Sequence, residues 1–205
     1  HAIIEECLFQ ENVAGDDGGA YYGDYFAYDG AESSFSHNTV ISNTAGSDGG
    51  AFYVNYLAYD GSAAYFSDNW IEGNVAGDYC GGACLYDVYD ASYAEINDNT
   101  IINNTSGGYG AGLYLDDIEY GSEAHVEGNV ISGNVISSTS EYDGGGIYLY
   151  GVDEGSTLLM LDNVINDNVA TGEKVAYILA DWQHIGTTLD GYLTITEHTR
   201  VRYAS

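Results

Sequence analysis

Short bursts of alternating apolar and polar residues return along the chain in a fixed phase. The clearest has the frame Asn-x-(Val/Ile)-x-x-Asn and occurs at Asn38–Asn43, Asn69–Asn74, Asn99–Asn104, Asn129–Asn134 and Asn163–Asn168, with Cys7–Asn12 as a variant that opens on Cys. Its closing Asn stands at 12, 43, 74, 104, 134 and 168, so the steps are 31, 31, 30, 30 and 34 residues. Three positions before each opening residue lies an apolar side chain: Ile4, Phe35, Phe66, Ile96, Val126 and Met160. Two residues earlier come Ala2, Ser33, Ala64, Ala94, Ala124 and Leu158, which continues a period of two and predicts a strand with one face turned inward. After each closing Asn a polar loop leads to a Gly-rich strand start: Gly18–Tyr22, Gly49–Tyr53, Gly81–Leu85, Gly110–Tyr114 and Gly144–Tyr148.

Three short strands per repeat, with the same positions apolar each time, predict an all-β, right-handed parallel β-helix. Residues 1–205 form one domain in this reading, with six to seven turns of 30–34 residues. Stacked at about 4.8 Å per turn, they make a rod roughly 30 Å tall. The Phe-x-x-Asn frames Phe9–Asn12, Phe35–Asn38 and Phe66–Asn69, with Gly-Gly-Ala-apolar at Gly18–Tyr21 and Gly49–Phe52, resemble the repeats of polymorphic outer-membrane proteins and autotransporter passenger domains. That resemblance implies a β-helix displayed at a cell surface.

In a stacked fold one residue type recurs because each copy bonds the next. Asn38, Asn69, Asn99, Asn129 and Asn163 are expected to form one amide ladder, and Asn12, Asn43, Asn74, Asn104, Asn134 and Asn168 a second, each Asn also accepting the left-handed backbone of a tight corner. These asparagines are structural, not catalytic.

Charge narrows the partners. The chain has 32 Asp plus Glu against 3 Lys plus Arg, a formal net charge of -29. Nucleic acid is excluded, because phosphate recognition draws on Lys and Arg. The 45% hydrophobic content and 21 Tyr argue against disorder. No apolar run approaches the roughly 18 to 20 residues of a membrane helix, so no membrane span is expected. The opening His1-Ala2-Ile3 lacks a charged-then-apolar leader and reads as a processed chain or an excised fragment.

Candidate chemistry falls into files. Asp29, Asp60 and Asp90 should stack on one edge, and carboxylates about 5 Å apart call for a cation, calcium being the natural one. The loop acids Asp16, Asp17, Asp48, Asp78 and Asp143 form a second set, and the plainer reading of both is a solvated acidic surface. Tyr22, Tyr53, Tyr114 and Tyr148 are expected to form an outward stripe, with Tyr28, Tyr59 and Tyr89 as another, suited to sugar rings, to a neighbouring rod or simply to their own ladder packing. Parallel β-helices also host pectate lyases and polysaccharide hydrolases. Lyase chemistry needs basic residues, however, and Lys174, Arg200 and Arg202 are the only ones; no carboxylate pair stands out for hydrolysis. The chain is therefore expected not to be an enzyme.

Of the three cysteines, Cys80 and Cys84 flank Gly81-Gly82-Ala83, in a turn with one extra residue between its Asn and its Gly-Gly relative to the first two turns. A disulfide there requires a sharp bend, since extended chain holds the two Cα atoms about 13 Å apart. Cys7 sits in a ladder position as a buried thiol or an intermolecular link. The cysteines favour an oxidising, extracellular setting. His1, His37, His125, His184 and His198 show no metal spacing, and Asn103 is the more accessible acceptor of the overlapping sequons at Asn103–Ser106. Neither end carries a visible cap, Leu193–Tyr203 reads as strand, and Arg200 and Arg202 oppose Glu5, Glu6 and Glu11. The expected function is an extracellular structural solenoid, a filament subunit or surface stalk stacking end to end, with a glycan-binding or adhesive passenger domain as the alternative.

Overall fold

The computed structural model describes residues 1–153 and 155–171, and the backbone of Ala176–Ile178. Its regular elements are all β-strands, wound into four parallel sheets around one interior. The first sheet stacks Ile3–Glu5, Glu32–Ser36, Ala63–Ser67, Tyr93–Asn97, Glu123–Glu127 and Thr157–Leu161. The second stacks Leu8–Gln10, Thr39–Ile41, Trp70–Glu72, Thr100–Ile102, Val130–Ser132 and Val164–Asn166. The third consists of the two-residue strands Val13–Ala14, Thr44–Ala45, Val75–Ala76, Thr105–Ser106 and Val135–Ile136. The fourth holds the long strands Tyr21–Ala27, Phe52–Tyr59, Ala83–Tyr89, Leu113–Ile118 and Ile147–Val152, with Ala176–Ile178 beyond them. The described residues thus make about five turns of a β-solenoid.

Each coil has four strands, one more than the three expected. The additional strand lies in the stretch read as polar loop, and two residues are too few to show an alternation. Among the described residues no helix is long and apolar enough to cross a membrane. Leu193–Tyr203, Lys174, Arg200 and Arg202 lie outside the described residues.

Register holds from coil to coil. Ile4 pairs with Phe35, Phe35 with Phe66, Phe66 with Ile96, Ile96 with Val126 and Val126 with Met160. The interior is therefore built of files: Phe35 stacks on Phe66 at 5.3 Å between ring centroids, beside Val40, Ile71, Ile101, Ile131 and Ile165 in the adjoining sheet. One irregularity explains a change of step. A bulge sets Tyr56 against Asp87 and Ala58 against Val88, leaving Leu57 as an extra residue that buries itself in the core. Beyond it the repeat shortens from 31 to 30 residues. The later step of 34 reflects additional residues between Ile136 and Gly144.

The corners carry the asparagines. Asn69 donates its backbone N–H and its side-chain amide to Asn99 Oδ1 at 3.0 and 2.9 Å, and the same amide to the Phe35 carbonyl at 2.9 Å. Its own Oδ1 accepts the backbone N–H of Asn38 at 3.0 Å and the Asn38 amide at 3.2 Å. The second column repeats this through Asn43, Asn74, Asn104, Asn134 and Asn168. The left-handed residue is not the Asn itself, as expected from sequence, but the one before it: His37, Asp68, Asp98 and Asp162 ahead of the first column, Glu11, Ser42, Asn103 and Asp167 ahead of the second. The Asn is thereby free to turn its amide along the axis.

A serine ladder also runs through the fold, Ser62 N–H to Ser92 Oγ, Ser92 N–H to Ser122 Oγ and Ser122 N–H to Ser156 Oγ, at 3.1 to 3.2 Å. Cys7 is exposed, not buried: it stands at the foot of the first column, where its N–H reaches Asn38 Oδ1 and no coil of the structure lies below it.

Replacing Asn104 by Ala strands the Asn74 N–H and the Ile71 carbonyl, and is expected to lower stability by about 3 kcal/mol or more. Asn12→Ala, at the exposed foot of the column, should cost under about 1 kcal/mol. Urea unfolding of the two variants checks the contrast.

Candidate functional site

The long-strand sheet carries the most varied outward chemistry. Its register places Tyr22, Tyr53, Cys84, Tyr114 and Tyr148 in one file. Four residues earlier the same register files Gly18, Gly49, Cys80, Gly110 and Gly144, whose φ angles are 67, 66, 53, 67 and 76°. Glycine is required in this file because a Cβ would stand 2.6 to 2.8 Å from the Cβ of the tyrosine four residues on. In the third coil both Cβ atoms are present, and they belong to a disulfide between Cys80 and Cys84 with Cα atoms 5.4 Å apart. The bridge replaces a Gly–Tyr pair. The left-handed turn at Cys80 is the bend that collapses the extended span. Gly81 and Gly82 accordingly match Gly50 and Ala51, so the Gly-Gly pair stands one position further along than in the coils before, as its spacing from Asn74 indicates.

Tyr86 fills the space that a tyrosine at 84 would occupy. Its ring lies 5.3 Å from Tyr53 and 5.1 Å from Tyr114, which joins Tyr22, Tyr53, Tyr86, Tyr114 and Tyr148 into one continuous stack. This stripe is only partly exposed. Tyr22 is open, but Tyr114 and Tyr148 are buried, because Tyr79 and Tyr109 fold over them and Tyr142 closes on Tyr109. A second aromatic group stays open along the sheet edge: Tyr28, Tyr59 and Tyr89 stack in file at 5.7 and 5.5 Å, joined by Tyr25, Tyr56 and Tyr120.

The acids divide by environment. Asp29, Asp60 and Asp90 are in file, the Gly30 and Gly61 N–H groups donating to the Asp60 and Asp90 carbonyls, but their carboxylates are exposed and do not converge. Among the described residues the acids that do converge are Asp87, Asp116 and Asp117, with an oxygen of each within 4.8 Å of the others. Gly151 leaves room for them, since a Cβ there would collide with Asp117 Oδ1. Burial and the neighbouring Asp116 raise Asp87 to about 6 and Asp117 to about 7. Burial raises Asp116 as well, although the Tyr114 hydroxyl donates to it at 3.1 Å. Three carboxylates from paired coils are donors a hard divalent cation accepts. The loop acids instead cap backbone: Asp17 receives the Asp48 N–H and Asp48 the Tyr79 N–H.

Elsewhere the polar groups stand apart. His125 lies 2.6 Å from Glu123 and His37 3.8 Å from Asp68, while His184 and His198 fall outside the described residues. Asn103 is exposed and Asn104 buried. A depression of about 150 Å³ lined by His1, Ile3, Glu32, Ser33, Ser34 and Tyr65 is smaller than the roughly 300 Å³ that small-molecule sites start from. No family model, curated protein or solved structure matches the chain.

Two outcomes are expected. Reducing the Cys80–Cys84 bridge should lower stability by about 2 kcal/mol. The triple variant Cys80→Gly, Cys84→Tyr, Tyr86→Asn, which restores the arrangement of the second coil, should unfold at the same urea concentration with or without dithiothreitol. The acid cluster sets a pH dependence. Because its folded pKa values lie above those of the unfolded chain, the folded state holds more protons between about pH 4 and 7, and stability falls as pH rises through that window. Asp117→Asn should flatten that slope and add on the order of 1 kcal/mol at pH 8, after allowance for solvent screening; thermal melts against pH measure both.

Proposed function

We propose that this chain is a non-enzymatic structural solenoid, a rod segment at a cell surface comparable in role to the passenger repeats of polymorphic outer-membrane proteins and autotransporters. One observation carries the reading: the buried asparagines are committed to ladders within the rod, and Ser62 Oγ is the sole unpartnered buried side-chain N or O atom among the described residues. Such an interior holds the shape of the rod. The buried disulfide supports an oxidising, extracellular location. In the structure the strands of the first coil pair on one side, and Ile3, Leu8 and Val13 are exposed there. Another coil set on that edge would continue all four sheets. Calcium, if it binds, would find its donors at Asp87, Asp116 and Asp117 rather than along the Asp29, Asp60 and Asp90 file.

Sedimentation velocity over a range of protein concentration, with electron microscopy of the same samples, tests the rod. Elongated particles that lengthen with concentration are expected. A compact monomer at every concentration would remove end-to-end stacking, and release of reducing sugar from polysaccharides would remove the non-enzymatic reading.

A further inference from the structure

We infer that the open edge of the long-strand sheet is a docking strip for an extended, basic peptide segment of a partner protein. The strip contains Tyr25, Tyr28, Tyr56, Tyr59, Tyr89 and Tyr120, with every ring within 6 Å of another between centroids. Tyr25, Tyr28 and Tyr120 remain about half exposed, at 50%, 49% and 60%. It runs across four coils, about 14 Å along the axis, the span of four to five extended residues.

Acids lie on both sides of it. Asp29, Asp60 and Asp90 each follow a tyrosine of the strip at the exposed corner. On the inner side, the file that begins with Tyr25 and Tyr56 continues as Asp87 and Asp117. The described residues include no Lys or Arg to neutralise these carboxylates. An aromatic strip between two acidic files, without an internal cation, is complementary in charge to a basic partner.

Ring orientation separates this partner from a glycan. Sugars stack on open ring faces, but along the strip neighbouring rings lie face on face: Tyr25 on Tyr56 at 10° between planes, Tyr28 on Tyr59 at 22° and Tyr59 on Tyr89 at 12°, with Tyr120 tilted at 52° on Tyr89. What reaches solvent is a row of ring edges and hydroxyls. Lys and Arg suit such a row, since their hydrocarbon stems lie along apolar edges while their charged ends reach outward to carboxylates. The inference is independent of rod stacking, because a monomer presents the same strip.

The test uses the 205-residue protein and a synthetic peptide of about eight residues alternating Arg and Val, titrated by calorimetry at about 0.15 M salt. Tyr25→Ser with Tyr120→Ser should weaken binding about tenfold. The charge control Asp68→Asn with Glu72→Gln, on another face, should weaken it less than about threefold. If the tyrosine variants bind as the wild type does, or if the control loses as much as they do, attraction is diffuse and the strip is no docking site. Tighter binding of a neutral cello-oligosaccharide than of the peptide would also overturn it. Should the variants prove misfolded by circular dichroism, acrylamide quenching of tyrosine fluorescence in the wild type decides. Saturating peptide should reduce quenching, and unchanged quenching rejects the proposal.

Discussion

A chain that turns four corners per coil brings backbone N–H groups inward where no strand receives them, and the whole rod depends on the asparagine amide that does. The group has to accept from one coil and donate to the next two ways at once. Asp has no donor and Ser has one short arm; only the Asn amide offers both functions at this reach. Asn38 Nδ2 bridges Ile4 below and Asn69 above, so each amide joins three coils. The same bonds hold the residue before each Asn in the left-handed region. Several of those residues are not glycine, and each such conformation costs roughly 1 to 2 kcal/mol, which persists because the ladder fixes the corner on both sides.

The ladders and the inward apolar files were legible in the sequence because translation along an axis repeats residue identity at a fixed step. Features that break the repeat, or are too short to show one, were not. The two-residue strands such as Thr44–Ala45 have no alternation to detect. The serines at 62, 92, 122 and 156 do recur at ladder spacing, and that signal was present but overlooked beside the more numerous asparagines. The place of Cys80 in the glycine file is hidden because the adjacent Gly81-Gly82 imitates the motif one position late. The burial of Tyr114 and Tyr148 depends on Tyr79 and Tyr109 folding over from the loops, a contact that stacking periodicity does not encode. The convergence of Asp87, Asp116 and Asp117 rests on outward positions of the long strands, Asp87 lying in file with Asp117 and Gly151 in the next coil, and the apolar and Asn frames do not register that juxtaposition.

The long-strand sheet shows how one backbone file accepts different chemistry without changing shape. The file of Asp24, Asn55, Tyr86, Asp116 and Tyr150 moves between hydrogen-bond acceptor and aromatic ring. In the first, second and fourth coils, where the residue two before is tyrosine, an acceptor receives its hydroxyl, as Asp24 does from Tyr22 at 3.0 Å. Where that residue is Cys84, a tyrosine replaces both the missing ring and the unneeded acceptor. The swap keeps the aromatic stack unbroken around a covalent bridge, which is why the disulfide leaves no gap in the buried cluster.

A solenoid repeats each outward position at about 4.8 Å, and this constrains what its surface can recognise. A small molecule needs several different groups converging on one point, whereas the files here lay similar groups out in a line. Like carboxylates in a line repel, and the protein relieves that in two ways: exposure to solvent at Asp29, Asp60 and Asp90, and raised proton affinity at Asp87 and Asp117 where burial removes the solvent. The exposed file keeps its negative charge along the same edge that carries the open tyrosines. A linear array of ring edges and acids matches a ligand that is itself linear, cationic and repeating, and the interior that fixes the array at constant spacing is what would give such a ligand its register.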